Sequence, residues 1–430
     1  MSWVVALLIA VVDWPMFGFD SQHTNHAAVS FEALPRLAWT FQPERHLWTY
    51  ARRTSVWSSS AVAAPLGDGG ALRLFIGSYD RNLYCLDAET GQELWRFTTG
   101  GAINSSPVLY RAGGRLLLAA ASTDRMLYGL EAATGTPLWT DEIYPWTFTA
   151  FDAITSSPAV FEQDGRPRLA VGIWYADRRP FKHVQRGELL CVDGASGAIV
   201  WRRTLSPSAL FSPAVGMVQG KTVLFVTGAD GRLFCLSAED GRLLWTYTSA
   251  IPISSSPLVS DIGERPVVVF GTVYGLVDCV DAASGRVLWR YKAGMQISSA
   301  GAVGEIDGTR VVMVPSYDRC LYCLELSSGR LRWRHETRQH LPASPVLLTL
   351  QGKPCVIVGS MDNHLYALEA STGARLWSAP LGKRVWLYEA RGETLWPSPI
   401  AVASSARPLL LVPWYDGTLY AFSDRGPASR

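Results

Sequence analysis

Charge is scarce in this chain. Charged residues make up only 18% of 430 positions, and 39 Lys and Arg nearly cancel 37 Asp and Glu. With no long basic run, the sequence offers nothing to follow a nucleic-acid backbone. A membrane-spanning stretch is lacking too, since the apolar residues 1–12, MSWVVALLIAVV, are too few to cross a bilayer. They suit the apolar part of a secretory signal, which favours export, yet no Lys or Arg precedes them and no clear small-x-small cleavage site follows. The other reading is a leading strand, compatible with the cytoplasm. Familiar catalytic signatures are also missing: there is no zincin motif, nucleophile elbow or EF-hand loop. GMVQGKT, at Gly216 to Thr222, is one residue short of a phosphate loop and has no helix behind it.

What is abundant is repetition. NLYCLDAETGQELWRF, at residues 82–97, recurs as LYGLEAATGTPLW, LLCVDGASGAIVW, LFCLSAEDGRLLW, VDCVDAASGRVLW, LYCLELSSGRLRW and LYALEASTGARLW. The tryptophans are Trp95, Trp139, Trp201, Trp245, Trp289, Trp333 and Trp377; five of the six intervals are 44 residues and the other is 62. Within one period the chain writes four short strands. In residues 104–140 they are NSSPVLY, RLLLAAAS, RMLYGLEA and TPLWT, separated by turn residues and rich in alternating, β-branched and aromatic positions. A four-stranded unit of that length is a propeller blade. The Trp strand is then outermost, where one blade docks on the next, and the turn Gly supplies a positive φ.

First-strand signatures such as SSPVL and SSPLV occur eight times, at Ser58, Ser105, Ser156, Phe211, Ser255, Ser298, Ala343 and Pro397. The last unit, LLLVPWYDGTLYAFS, has no Trp strand of its own, whereas PRLAWTF places Trp39 ahead of the first complete unit. The expected fold is therefore all-β, an eight-bladed propeller of four-stranded antiparallel blades closed by an N-terminal strand. Residues 1–13 read as an apolar leader and 14–430 as a single propeller domain, expected to be a monomer.

The repeat resembles the eight-bladed pyrroloquinoline-quinone-type propellers, whose units carry the same Gly-x-x-x-Trp docking strand, and DWPMFGFDSQHTNHA is similar to the lead-in common in that superfamily. The resemblance runs over residues 14–424. It implies the fold, and it brings in quinoprotein dehydrogenases using pyrroloquinoline quinone (PQQ) with calcium as well as the assembly lipoprotein of the β-barrel machinery. Neither the vicinal cysteine pair nor the calcium-ligand pattern of quinoproteins matches positions here, so no catalytic residue is carried over. No lipobox cysteine follows the leader.

Cys85, Cys191, Cys235, Cys279 and Cys323 share one repeat position, filled elsewhere by Gly129, Ala367 and Ala421. A position that accepts Cys, Gly or Ala is a small buried slot, so reduced, packed thiols are expected. Cys320 and Cys323 point to opposite faces of a strand, which argues against a metal or redox pair. Six blades place an Asp between second and third strands, Asp80, Asp124, Asp230, Asp318, Asp362 and Asp416, where a carboxylate bonds its own turn.

Function is read from asymmetry. Long insertions fall only in blade-to-blade connections or between second and third strands, which a propeller projects from one face: QPERHLWTYARRTSVW, DEIYPWTFTAFDAIT, IWYADRRPFKHVQRGE and APLGKRVWLYEARGETLW. Trp48, Trp57, Trp146, Trp174, Trp386, Trp396 and Trp414 fall there as well, and indoles do not usually collect on bare loops. The expectation is an aromatic cup over the channel mouth. Its candidate acid–base groups are His46, His183, His340, Asp152 and Glu389; its candidate ligand contacts are Arg52, Arg53, Trp57, Trp146, Trp174, Arg178, Arg338, Trp386, Tyr388 and Trp396. The insertions carry ten Lys or Arg against eight Asp or Glu, so mutual ion pairing is one reading and a pocket for an anionic, aromatic small molecule the other. A protein partner docking on the same loops, or a PQQ-dependent dehydrogenase, are the alternatives. No metal site is expected.

Overall fold

The computed structural model describes residues 20, 22–43, 59–66, 70–142, 156–179, 182–382, 397–414 and 416–425. Their 33 strands form eight sheets. In chain order the blades are β3 to β6 (Val62–Pro65, Leu72–Gly77, Asn82–Asp87, Glu93–Thr98), β7 to β10 (Val108–Ala112, Arg115–Ala121, Met126–Glu131, Pro137–Glu142) and β11 to β14 (Ala159–Gln163, Arg166–Arg179, Lys182–Asp193, Ile199–Ser206). Blades 4 to 6 follow as β15 to β18 (Ala214–Val218, Lys221–Gly228, Arg232–Ser237, Leu243–Thr248), β19 to β22 (Leu258–Ile262, Arg265–Gly271, Leu276–Asp281, Val287–Lys292) and β23 to β26 (Ala302–Ile306, Thr309–Pro315, Cys320–Glu325, Leu331–Glu336). Blade 7 is β27 to β30 (Val346–Leu350, Lys353–Ser360, His364–Glu369, Arg375–Pro380). Blade 8 is β31, β32 and β33 (Ile400–Ala403, Pro408–Pro413, Leu419–Ser423), completed by the early strand β2 (Arg36–Phe41), in which Trp39 lies opposite Ala421. Closure by the Trp39 strand is as the sequence indicates.

First strands of neighbouring blades touch around the axis, β3 with β7, β7 with β11, β11 with β15, β15 with β19, β23 with β27 and β27 with β31. A girdle of serine hydroxyls ties their starts together. The backbone N–H groups of Ser344, Ser398, Ser60, Ser106 and Ser157 donate, blade to blade, to the Oγ atoms of Ser398, Ser60, Ser106, Ser157 and Ser212, at 2.9–3.1 Å. In blade 6 the equivalent residue is Ala300, which has no hydroxyl to offer.

Docking at the rim follows from two small residues per tryptophan. Each Trp lies across its hairpin from the slot residue, Trp95 from Cys85, Trp139 from Gly129, Trp333 from Cys323 and Trp377 from Ala367. A Cβ built on Gly129 would come within 2.0 Å of the Trp139 ring, which explains why the slot tolerates nothing large. On its other side each ring covers the turn glycine of the next blade; Gly373, at φ 71°, would bring a Cβ to 2.6 Å from Trp333. The indole N–H then bonds that turn's backbone in every such case but Trp95, as from Trp333 to Ala370 O at 2.8 Å and from Trp39 to Ala88 O at 3.0 Å. Blade 8 has no such turn, because its outer strand comes from the far end of the chain, and Trp377 meets the Phe422 ring edge-on instead.

All seven cysteines are buried and unpaired. Burial pushes the thiols of Cys85, Cys191, Cys235, Cys279, Cys323 and Cys355 up to about 12, so they hold almost no thiolate at neutral pH. Titration of the denatured protein should find seven thiols while the native protein reacts slowly; a disulfide between any two slot cysteines would refute the packing account.

One strand was not foreseen. β1 (His26–Phe31) leaves the two-edged blade pattern and runs parallel to β27, making blade 7 five-stranded on its inner side. Its burial alternates, with Ala27, Val29 and Phe31 packed and His26, Ala28 and Ser30 exposed.

Candidate functional site

Inner strands start on one face and return through short first-to-second hairpins, so the blade-to-blade and second-to-third connections share that starting face. There, residues 22–25 run as a strap along the inner strands of three consecutive blades. Gln22 O, Thr24 O and Asn25 O accept the N–H groups of Val259, Val303 and Leu347, each at 2.9 Å, which links blades 5, 6 and 7 where the serine girdle lapses. His23, buried and at φ 62°, donates from Nδ1 to Pro257 O at 2.8 Å, and Asn25 donates from Nδ2 to Gly301 O at 2.9 Å. Burial pushes the His23 imidazole down to about 4, so it packs as a neutral ring. Asp20 anchors the start of the strap through the N–H groups of Gln22 and Thr24, both at 3.0 Å.

Beside this strap, at the junction of blades 6 and 7, the connection from β26 to β27 carries Arg338 and His340. The His340 ring stacks on Tyr317 at 5.3 Å and 22° between planes, and its Nδ1 donates to the Tyr317 carbonyl. That bond fixes the tautomer with the lone pair on Nε2. Met361 N–H holds the other end, donating to His340 O at 3.0 Å. The Arg338 guanidinium is exposed and has no ion pair among the described residues, while its backbone N–H reaches Asp362 Oδ2 at 3.3 Å. Asp362 is itself held by the Tyr366 hydroxyl at 2.6 Å and by the His364 N–H at 3.0 Å.

The turn aspartates are structural, as read from the sequence, but they do more than bond their own turn. Asp80, Asp124, Asp318, Asp362 and Asp416 each accept the hydroxyl of the Tyr four residues on, at 2.6 Å in every case. Asp124 and Asp318 also accept an N–H from the preceding blade connection, at Gly100 and Gly294.

Of the predicted site residues, Arg338 and His340 lie on one described connection, that from β26 to β27, without a hydrogen bond between the two. Arg178 and His183 pair directly across the hairpin of β12 and β13, so the third insertion is a continuation of two strands rather than a loop. Trp174 stands at the base of that continuation, half-buried, its indole N–H without an acceptor among the described residues. His46, Arg52, Arg53, Trp57, Trp146, Asp152, Trp386, Tyr388, Glu389 and Trp396 lie outside the described residues. Trp414 is no cup residue: it is 5% exposed and packs over Gly359 of blade 7, where the missing side chain leaves room for its ring. Tyr317 and His364 were missed by the sequence reading, although the recurring Ser-x-Asp turn marks Tyr317 as a turn-top residue.

Residues 38–163, 185–270 and 273–426 match the PQQ-like repeat model described as outer membrane protein assembly factor BamB. The chain belongs to this family. Among solved structures, the quinohemoprotein alcohol dehydrogenase of Comamonas testosteroni is 15% identical, with 97% of this chain and 81% of that one covered at a TM-score of 0.72. A europium-containing methanol dehydrogenase is 14% identical over 96% and 98% of the two chains, at 0.68. BamB from Moraxella catarrhalis is 14% identical over 91% and 100%, at 0.59. At these identities the likeness is one of fold. No curated protein matches the chain. The family resemblance raises PQQ with calcium; among the described residues no three His, Cys, Asp or Glu are grouped to hold a metal, and no two cysteines of the chain are adjacent in sequence. No helix among the described residues is long and apolar enough to cross a membrane.

Proposed function

We propose that the face carrying the blade connections binds an anionic small molecule beside the strap, at the junction of blades 6 and 7. His340 carries this reading. Its ring is immobilised by stacking and by the Nδ1 bond to Tyr317 O, and Nε2, which has no partner among the described residues, is directed to accept a proton or hydrogen bond. Arg338, two residues away, supplies an unpaired guanidinium for a carboxylate or phosphate. The reading also assigns His46, Asp152, Glu389, Arg52, Arg53, Trp57, Trp146, Trp386, Tyr388 and Trp396 of the other three insertions to the wall of this site, with acid–base chemistry as the mode of any turnover.

The test is native mass spectrometry of the purified protein, to identify a copurified ligand, followed by titration of that ligand into variants. His340→Gln and Arg338→Met should each weaken binding at least tenfold and leave the melting temperature within a few degrees, since neither side chain is in the core. Unchanged affinity in both variants removes the site. Adding PQQ with calcium and following dye reduction tests the activity named for the structural relatives; quinone uptake indifferent to His340 and Arg338 would replace this reading with theirs.

A further inference from the structure

We propose that the β12–β13 ribbon is a docking arm that receives an extended, acidic segment of a partner protein along one of its edges. The inference is independent of the small-molecule reading, which rests on blades 6 and 7. Strands β12 and β13 are 14 and 12 residues long, whereas every other strand has at most 8. The other second-to-third connections span only three to five residues. β11 accompanies β12 only to the pair Ala159 and Ala170, and β14 accompanies β13 only to Gly187 and Ser206, yet β12 and β13 stay paired out to Arg179 and Lys182. From Trp174 outward each strand therefore has a single partner among the described residues, and half of its N–H and C=O groups face away from that partner. Six residues of strand carry the ribbon about 20 Å beyond the sheet.

Charge identifies the partner. Residues 174–186 hold Arg178, Arg179, Lys182 and Arg186 against Asp177, a balance of three positive charges in a chain whose net is +2, so the rest of the sequence sums to −1. The register sets two of these cations against one another: Arg179 lies opposite Lys182. Like charges directly opposite cost a two-stranded ribbon stability, and such ribbons are marginal on their own in water. A third strand bearing carboxylates removes both defects, completing the ladder and neutralising the pair.

The probe is a fluorescein-labelled peptide of alternating Glu and Val, titrated against the full chain by anisotropy. Beside it are run a peptide of the same charge with proline at alternate Val positions, which cannot form a ladder, and vesicles containing phosphatidylglycerol. Two variants are compared: Arg178→Glu with Arg179→Glu, and a chain with residues 174–187 replaced by residues 78–81, the turn of blade 1. The proposal expects the Glu-Val peptide to bind, with at least tenfold loss in both variants and in the proline peptide, and further weakening with salt. Melting temperature should be unchanged in the charge variant. Equal binding of the proline peptide means charge without strand addition and overturns the proposal, as does absence of Glu-Val binding or binding that survives ribbon replacement. Vesicle binding that depends on the ribbon and exceeds peptide binding assigns the arm to a membrane instead.

Discussion

A chain beginning at residue 44 will not form the closed ring. The deletion removes β1 and β2 together, and with them the only outer strand of blade 8, the parallel strand on blade 7 and the strap across blades 5 to 7. β33 becomes an unprotected edge, and the blade 1 turn at Gly91 loses the Trp39 ring that covers it. Trp39 also leaves Ala88 O without its donor. The expected result is loss of a cooperative thermal transition by circular dichroism, with oligomers in size-exclusion chromatography as β33 edges pair between molecules. A synthetic peptide of residues 20–43 added in trans should restore the monomer. A truncated protein that elutes as a monomer with an unchanged melting temperature would show that blade 8 needs no fourth strand.

Replacing a single docking indole gives the second large effect. Trp333 is 9% exposed, lies opposite Cys323 and seals the turn at Gly373 while donating to Ala370 O at 2.8 Å. Trp333→Ala opens a cavity bounded by Cys323 and Gly373, neither with bulk to collapse into it, and orphans a carbonyl. The cost should be roughly 3–5 kcal/mol, read as a shift of the denaturant midpoint at constant slope. Trp333→Phe keeps much of the apolar contact but not the N–H, and should fall between. A Trp333→Ala cost near zero would mean that the blades adhere through the inner serine girdle alone.

How much of this was legible depended on repetition. Trp39 announced its place because seven later strands carry Trp at the same position relative to Gly, and the cysteines explained themselves once Gly129 and Ala367 stood in the same column. β1 could not be found that way. HAAVSF alternates as any strand does, but its partner is the inner edge of β27, a pairing that no other blade makes among the described residues and no period encodes. The third insertion was visible as extra length and charge, while its continuation as paired strands was not, because Asp, Arg and Pro in DRRPFKH read as loop residues. Asymmetry pointed to the face that carries His340, but the stacking on Tyr317 depends on two turns brought side by side by blade packing, which local sequence does not specify.

The strand pair β1 and β2 also orders events in time. These residues precede every blade they complete, yet Glu32 bonds Asp424, 392 positions later, and β2 has no sheet until β33 exists. Blades 1 to 6 are assembled from neighbouring segments and are free to form as they emerge. The β1–β2 segment has to wait until β33 has been made, so closing the ring comes after the blades between them and across the longest loop in the propeller. A stalled or C-terminally clipped chain would therefore display an unpaired β2 and an open ring, a difference that quality-control machinery is able to recognise.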